Sequence, residues 1–529
     1  MGWQSWWWWC TIAMTALLGV LVQRLVAGYR FYTKPEPASQ ATTPFSKDGS
    51  TETGRMDPNR QLVVPFIVLE RVNWHKVLAK ALELHEQRQS QALQALSRLL
   101  QLSLDAEEDY DLTSSTVSGK HQRTLLSTKL QDKIRRLADL YEAEVKLLRD
   151  EILLPIVTTQ ALSSGPFWDR DSKEPVVSRR NDSTFDSLRP PVLASRLQPS
   201  FWSRPTGDAA EGVPGGSLSA SYDTVEQILA HLVRDWSSDG ASLRAAIYPW
   251  VEQQLHQHVP AEADSSSSSP RVFVPGAGLG RLAWQVAQEG YHVEAVESSF
   301  LMCAVAAFVF RKLAQAQSKF NTTKKTNSEQ HTRACQVTIF PYTLDSFRNE
   351  VDSQRRYDGV QIPDLDALNR VIAKQEDDCS VGSLSYTIHQ QDWTSLFLNN
   401  NSLHRTYSGH LYHATITCYF LDTATHVYDT IFAIYQALHP NGLWINVGPL
   451  QWHRNAQIQL SADELKDVII DMGFSILEWK MDTSPLDYRN QNVDPVTGTT
   501  RSTHGDVYYP LRFVARKSSR DKHINYETQ

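Results

Sequence analysis

The stretch RVFVPGAGLGRLAWQVAQEGYHVEAVESS, Arg271 to Ser299, constrains the fold more than any other part of the chain. A short apolar run ends at a proline, and glycines follow at alternate positions: Gly276, Gly278 and Gly280. LGRLAWQVAQEG then has a helical texture, and HVEAVE returns to a strand pattern ending at Glu297. Strand, glycine turn, helix, strand and acid in that order describe the first crossover of a doubly wound, mostly parallel sheet. Open parallel sheets bind ligands at the carboxyl ends of their strands, where both the turn and Glu297 fall. Glycine lets the backbone turn tightly and approach a ligand without Cβ interference. Glu297 follows Gly276 by 21 residues, a spacing at which a carboxylate can accept both ribose hydroxyls of a nucleoside.

The glycine spacing narrows the choice of nucleoside. A dinucleotide fold asks for GxGxxG, and its third glycine would stand where this chain has Arg281. The spacing here is GxGxG, as in many S-adenosylmethionine enzymes, whose cofactor has no pyrophosphate for a helix N-terminus to bind. A plain glycine-rich turn is the alternative.

The alternation continues to the C-terminus. FLMCAVAAFVFRKLAQA reads as a helix and CQVTIF as the third strand, before a polar excursion over about 342–390. HATITCYFLD, LWINVG and FSILEWK read as strands, separated by the helices THVYDTIFAIYQALHPNG and SADELKDVIIDMG; YYPLRFVARK closes the sheet. Ser461 and Glu464 have capping-box spacing. Upstream, two long runs with a three- and four-residue apolar period, one from Asn73 and one ending in LLRDEILLPIV, predict a pair of antiparallel helices. A Pro-, Gly- and Ser-rich segment then leads to a helix starting near Tyr222, with Asp223 as its expected N-cap and Gly240 as its stop.

Composition excludes several classes. A net charge of −7 over 529 residues leaves no basic excess for nucleic acid. The 5 cysteines have no CxxC spacing, which argues against a zinc site and against a disulfide framework. At the N-terminus Trp6 to Val22 carries no charge, while Arg24, Arg30 and Lys34 follow. The run is at the short limit for a membrane helix, and the flanking charges would keep the bulk of the chain in the cytosol. A cleaved signal or an unstructured tail are the other readings.

Read together, VPGAGLGRLAWQVAQEGY, CYFLDTATHVYDTI, HPNGLWINVGPLQWH and LVRDWSSDG resemble the carnosine N-methyltransferase family, over most of the chain from about 70 to 517. The resemblance implies a seven-stranded class I methyltransferase sheet with an added N-terminal helical part. It also implies methyl transfer from S-adenosylmethionine to the imidazole of carnosine, giving anserine. The organisation it suggests is a membrane anchor over 1–26, a linker over 27–69, the helical part over 70–163, a disordered insertion over 164–218, the methyltransferase domain over 219–517 and a tail over 518–529. The N-terminal helices offer a surface on which two copies could pair.

The resemblance also assigns residues. Gly276 and Glu297 match cofactor-binding positions, and Arg234 matches an arginine suited to clamping the methionine carboxylate. His231 stands where the family has glutamine. Asp392 and Trp393 fall beside the adenine, with tryptophan replacing phenylalanine, and Cys418 lines the cofactor pocket. Asp422, His453 and Tyr508 match substrate-contacting positions, although DVYYP replaces a run of three tyrosines and leaves Tyr509 as an alternative. Read singly, Asp422 would cap the following helix, Arg234 would pair with a nearby carboxylate, and Cys418, His453 and Tyr508 would be ordinary packing. An acceptor other than carnosine, or a non-catalytic scaffold, are the competing functions.

Overall fold

A computed structural model describes residues 66–68, 74–111, 117–153, 224–261, 269–322, 333–344, 354–376, 382–388, 393–398, 411–488, 498–500, 505 and 507–519. The Trp-rich N-terminus, most of the linker and the 164–218 insertion lie outside the described residues.

A short strand β1 (Phe66–Val68) precedes two long helices, α1 (Trp74–Asp111) and α2 (Val117–Lys146), the second running into a π-helical turn, Leu147–Leu153. Next come α3 (Val225–Trp236), a 3-10 turn Ser238–Gly240, and α4 (Ala241–His258). The sheet region begins with β2 (Arg271–Pro275), α5 (Arg281–Gln288), β3 (His292–Glu297) and α6 (Phe300–Thr322). It continues through β4 (Val337–Ile339), β5 (Val360–Ile362), α7 (Leu365–Glu376), β6 (Ser383–Ile388), α8 (Ser395–Leu398), β7 (Tyr412–Cys418), α9 (Val427–Ala437) and β8 (Leu438–Gly448). The C-terminal elements are α10 (Ala462–Asp471), β9 (Phe474–Met481), β10 (Leu486–Asp487), β11 (Val507–Tyr508) and β12 (Leu511–Lys517).

The main sheet runs β1-β6-β3-β2-β7-β8-β12-β9. From β6 to β9 these are seven strands; β1 adds an eighth at the edge, parallel to β6. β12 is antiparallel to both its neighbours, β8 and β9. Strand order reverses between β2 and β7, and a ligand crevice forms outside the carboxyl ends of strands at such a switch point.

The third strand of the sheet is β6, not the CQVTIF segment. Val337–Ile339 pairs antiparallel with Val360–Ile362 in a separate two-stranded sheet. β6 lies inside the stretch that reads as a polar excursion, because Ser383, Ser385 and Thr387 alternate with Leu384, Tyr386 and Ile388. The apolar set is buried, and Thr387 is buried too. One face of this parallel strand is fully buried, while the other carries small hydroxyl side chains that pass from exposed at Ser383 to buried at Thr387, where an apolar run is usual.

Helix ends follow local chemistry. Thr224 caps α3, its hydroxyl accepting from the Gln227 N–H at 3.4 Å; the expected cap, Asp223, lies outside the described residues. The helix ends at Trp236, and Gly240 instead precedes α4. The Ser461–Glu464 capping box forms at the start of α10. α6 is apolar and long enough to cross a membrane by length and composition, but that window is 72% buried within the protein core.

The two long helices pack as an antiparallel pair: His85 and Gln89 of α1 meet Glu144 of α2, while Leu100 clusters with Leu130. His85 is fully buried, with Nε2 2.9 Å from Glu144 and Nδ1 3.1 Å from Glu226 of α3. Burial favours the neutral ring, but the two carboxylates outweigh it and raise the His85 pKa to about 9. This charge network ties the helical pair to α3.

A histidine whose pKa is higher folded than unfolded stabilises the fold fully below its unfolded value, near 6.5, and loses that contribution as pH rises toward 9. The Tm should therefore fall by several degrees between pH 6.5 and 9. His85→Gln should flatten this dependence, and an unchanged slope in calorimetry would rule His85 out as its source.

Candidate active site

At the switch point the turn after β2 is held from several sides. Gly276, Gly278 and Gly280 all adopt positive φ, at 61°, 58° and 76°, a region that side chains with a Cβ rarely enter. A Cβ on Gly276 would also overlap the ring of Phe420. The Gly278 position faces open space, with the Arg234 guanidinium as its nearest neighbour at 3.9 Å. Trp236 donates its indole N–H to the Leu279 carbonyl at 3.1 Å, and the Tyr386 hydroxyl donates to the Gly278 carbonyl.

Glu297 does more than point at the crevice. One carboxylate oxygen accepts the Gly278 N–H at 2.9 Å, and the other accepts the Ser298 and Ser299 N–H groups, both at 2.9 Å. The side chain thus pins the turn after β2 to the end of β3. The Ser298 hydroxyl lies 3.5 Å from the same oxygen as the two serine N–H groups, so a ribose hydroxyl would share this carboxylate with donors of the protein itself.

Arg281, at the position of a dinucleotide motif's third glycine, is a packing residue. Its guanidinium lies 4.9 Å from the Trp236 ring and 5.2 Å from that of Trp284, and it pairs with Asp364 and Asp366. Arg244 also pairs with Asp364 and donates to the backbone carbonyls of Arg234 and Ser237. The end of α3 is thereby fixed beside the glycine turn.

A cavity of about 440 Å³ opens above this turn, a size suited to a small ligand. His231, Arg234, Gly276, Glu297, Trp393 and Cys418 all line it. Asp392 lies outside the described residues. Arg234 is paired through Nε and Nη2 with its own neighbour Asp235, at 2.6 and 2.9 Å, and Nη1 donates to the Tyr488 hydroxyl. The side edge of the guanidinium is therefore spent on Asp235, and an incoming carboxylate would have to use the remaining N–H groups on Nη1 and Nη2. Burial works against the Asp235 charge, but Arg234 prevails and holds that carboxyl below its usual range. Burial pushes the Cys418 thiol up to about 12, so it stays protonated and acts as a small lining group.

A second cavity, of about 670 Å³, adjoins the first and shares His231, Arg234, Tyr419, Thr423, Asn455 and Tyr488 with it. Asp422, His453 and Tyr508 line this second cavity; Tyr509 does not and is 52% exposed. Asp422 sits in a 3-10 turn, Leu421–Thr423, ahead of α9, whose N-cap is His426. It therefore does not cap that helix. Its carboxyl accepts the Gln451 N–H at 3.2 Å, and its backbone carbonyl accepts the His453 N–H at 3.0 Å. Burial raises the Asp422 pKa to about 7, against the pull of the Gln451 N–H. Burial also lowers that of His453.

The aromatic wall between the cavities is not legible in the sequence. The Tyr419 and Tyr488 rings lie 4.8 Å apart, tilted by 30°, and Tyr508 meets Tyr488 edge-on at 5.5 Å. Tyr419 holds φ at 50°, the kind of strain that the surroundings of functional sites sustain. Its place between Cys418 and Asp422 was a usable signal; Tyr488, in an irregular stretch, gave none.

The β6-to-β9 order with a reversed β12, a glycine turn at the switch point and an acid ending the next strand define a class I S-adenosylmethionine-dependent methyltransferase. A family model described as "Carnosine N-methyltransferase" matches residues 215–518. The chain belongs to that family. It is 28% identical over 281 residues to carnosine N-methyltransferase of Mus musculus, covering 52% of this chain and 60% of the mouse protein. With the Dictyostelium discoideum protein of the same name it shares 29% identity over 261 residues, covering 48% of each. The match thus spans less than two thirds of those relatives. Among solved structures, magnesium protoporphyrin IX methyltransferase from Synechocystis with bound SAM is similar at 16% identity and a TM-score of 0.26, over 53% of this chain and 84% of that one.

A Cβ at 276 overlaps the Phe420 ring, whereas one at 278 enters the cavity, so Gly276→Ala should lower the Tm further than Gly278→Ala, while Gly278→Ala should weaken S-adenosylmethionine binding at a smaller cost in stability. Thermal melts and calorimetric titration of both variants would show it, and equal losses of stability would refute the steric assignment.

Proposed function

We propose that this chain transfers the methyl group of S-adenosylmethionine to an imidazole nitrogen of carnosine, giving anserine. One observation carries the reading: a cavity lined by Asp422, His453 and Tyr508 opens beside the glycine-turn cavity and shares Arg234 with it. The residues present suit the cofactor. The backbone at Gly278 faces the cavity without a Cβ, the Glu297 carboxylate lines it at the end of β3, and Trp393 offers an aromatic face. When bound, the cofactor supplies an electrophilic methyl on a sulfonium.

The acceptor needs little activation. A free imidazole has a pKa near 6.5, so at pH 7 much of it is neutral, with one lone-pair nitrogen and one N–H. In this reading Asp422 accepts that N–H, which turns the other nitrogen toward the methyl. As the new N–C bond forms, the S–CH3 bond would break with its electron pair left on S-adenosylhomocysteine; the ring becomes cationic, and its N–H proton passes to the Asp422 carboxylate. A carboxyl with a pKa of about 7 is matched to that exchange. Positioning of this kind can supply roughly 7–11 kcal/mol of a barrier. The tyrosine wall and Trp452 flank the acceptor ring, and His231 and Arg234 stand at the opening between the two cavities.

Incubation with labelled methyl donor and a panel of carnosine, homocarnosine and histidine peptides tests the proposal. Labelling confined to peptides would move the assignment to a peptide or protein histidine acceptor. Absence of donor binding would leave a non-catalytic scaffold.

Two groups must lose a proton before reaction, the acceptor ring and Asp422. The acid limb of log kcat/KM against pH should therefore approach a slope of 2 below about pH 6.5, and Asp422→Asn should reduce it to 1 while lowering kcat by about 100-fold or more. Stability should move the other way. The folded state keeps the Asp422 proton up to about pH 7, well above the ordinary carboxyl value of 3.8, so wild-type stability declines between those values. Asp422→Asn should melt higher than wild type at pH 8; a lower Tm there would contradict the buried-acid assignment.

A further inference from the structure

The acceptor cavity holds a cation that the imidazole chemistry does not use. Arg454 lines it next to His453, with its side chain exposed. Among the described residues it has no ion-pair or hydrogen-bond partner, whereas Arg234 in the same cavity is paired with Asp235. Asp422 is the one acid among the described residues lining the cavity. Its backbone carbonyl accepts the N–H of His453, the residue before Arg454.

The backbone carrying Arg454 is fixed relative to Asp422. The Gln451 N–H donates to the Asp422 carboxyl at 3.2 Å, and the His453 N–H to the Asp422 carbonyl at 3.0 Å. The Gln457 N–H reaches the Thr425 carbonyl at 3.0 Å, and the Asn455 amide donates to the Thr425 hydroxyl at 3.0 Å. The 451–457 segment is thus laced to the 422–425 segment on both sides of Arg454. The separation between the Asp422 backbone and the backbone of Arg454 is therefore set by the fold.

From this pairing we infer that Arg454 is a specificity-determining residue that reads a carboxylate on the acceptor. The acceptor class is then a small imidazole-bearing acid with its ring at Asp422 and its carboxylate at the rim. The reverse orientation would set the acid group beside the deprotonated Asp422 that the reaction requires, carboxylate against carboxylate. A guanidinium presents paired N–H donors that match a carboxylate in geometry as well as charge. A histidine inside a polypeptide carries no free carboxylate at that distance and would leave Arg454 unused. The inference rests on the imidazole-methyltransferase reading and refines it.

Carnosine and its C-terminal amide separate the two. Wild type should show a KM for carnosine about tenfold below that for the amide, with similar kcat. Arg454→Gln should raise the carnosine KM to the amide's value, leave the amide's kinetics unchanged, and keep kcat for both. Arg454→Lys should recover part of the preference, and Arg454→Glu should invert it. Calorimetric titration of both compounds into the S-adenosylhomocysteine-loaded protein reads the same preference without turnover. Equal loss with acid and amide, or no change in either, overturns the role of Arg454 while leaving imidazole methylation intact. If neither compound binds nor is methylated, the imidazole reading itself fails and takes this inference with it.

Discussion

The Glu297 carboxylate joins two strand ends that would otherwise be independent. By accepting N–H groups from Gly278, Ser298 and Ser299, it converts a flexible glycine turn into a rigid floor. Charge-assisted bonds to backbone donors are stronger than neutral ones, and they relieve the turn of N–H groups with no strand partner. The glycine turn is held in one conformation because that carboxylate, the Trp236 indole and the Tyr386 hydroxyl all converge on residues 278–279. The same acid that reads as a ligand contact is therefore first a structural tie.

Charge is distributed unequally between the two cavities. Around the cofactor cavity, cation and anion are matched: Arg234 with Asp235, Arg244 and Arg281 with Asp364. Buried pairs of this sort contribute little net stability, but removal of one partner leaves an uncompensated charge and is costly. In the second cavity Asp422 has no cationic partner among the described residues, and burial outweighs the pull of backbone N–H groups on its pKa. A carboxyl in that condition is poorly suited to holding a structure together and well suited to exchanging a proton.

The strand–turn–helix–strand unit from Arg271 to Glu297 was legible because apolar period, glycine spacing and the acid all reinforced one another. Most later strands were legible for the same reason. β6 was not, since serine and threonine occupy alternate positions of a strand whose burial comes from its neighbours. The residues expected to line the site, Asp392 aside, do converge on two adjoining cavities. What sequence could not convey was prior commitment: that Arg234 already spends one edge on Asp235, that Glu297 spends three acceptor sites on backbone, and that Tyr488 arrives from a segment with no pattern. Such facts depend on partners brought together by tertiary folding.

The packing of α3 reaches beyond the sheet. Ile228, Leu229 and Leu232 of this helix share one apolar cluster with Leu78 and Leu82 of α1 and with Val145, Leu148 and Ile152 at the end of α2. α3 is thus sandwiched, with its last turn delivering Arg234 to the cavity and its opposite flank roofed by the helical pair. A fragment cut to the boundaries of the conserved family domain would strip that roof, baring a greasy stripe and stranding Glu226 without His85. The helical pair is best regarded as the missing half of a core that the catalytic domain only begins.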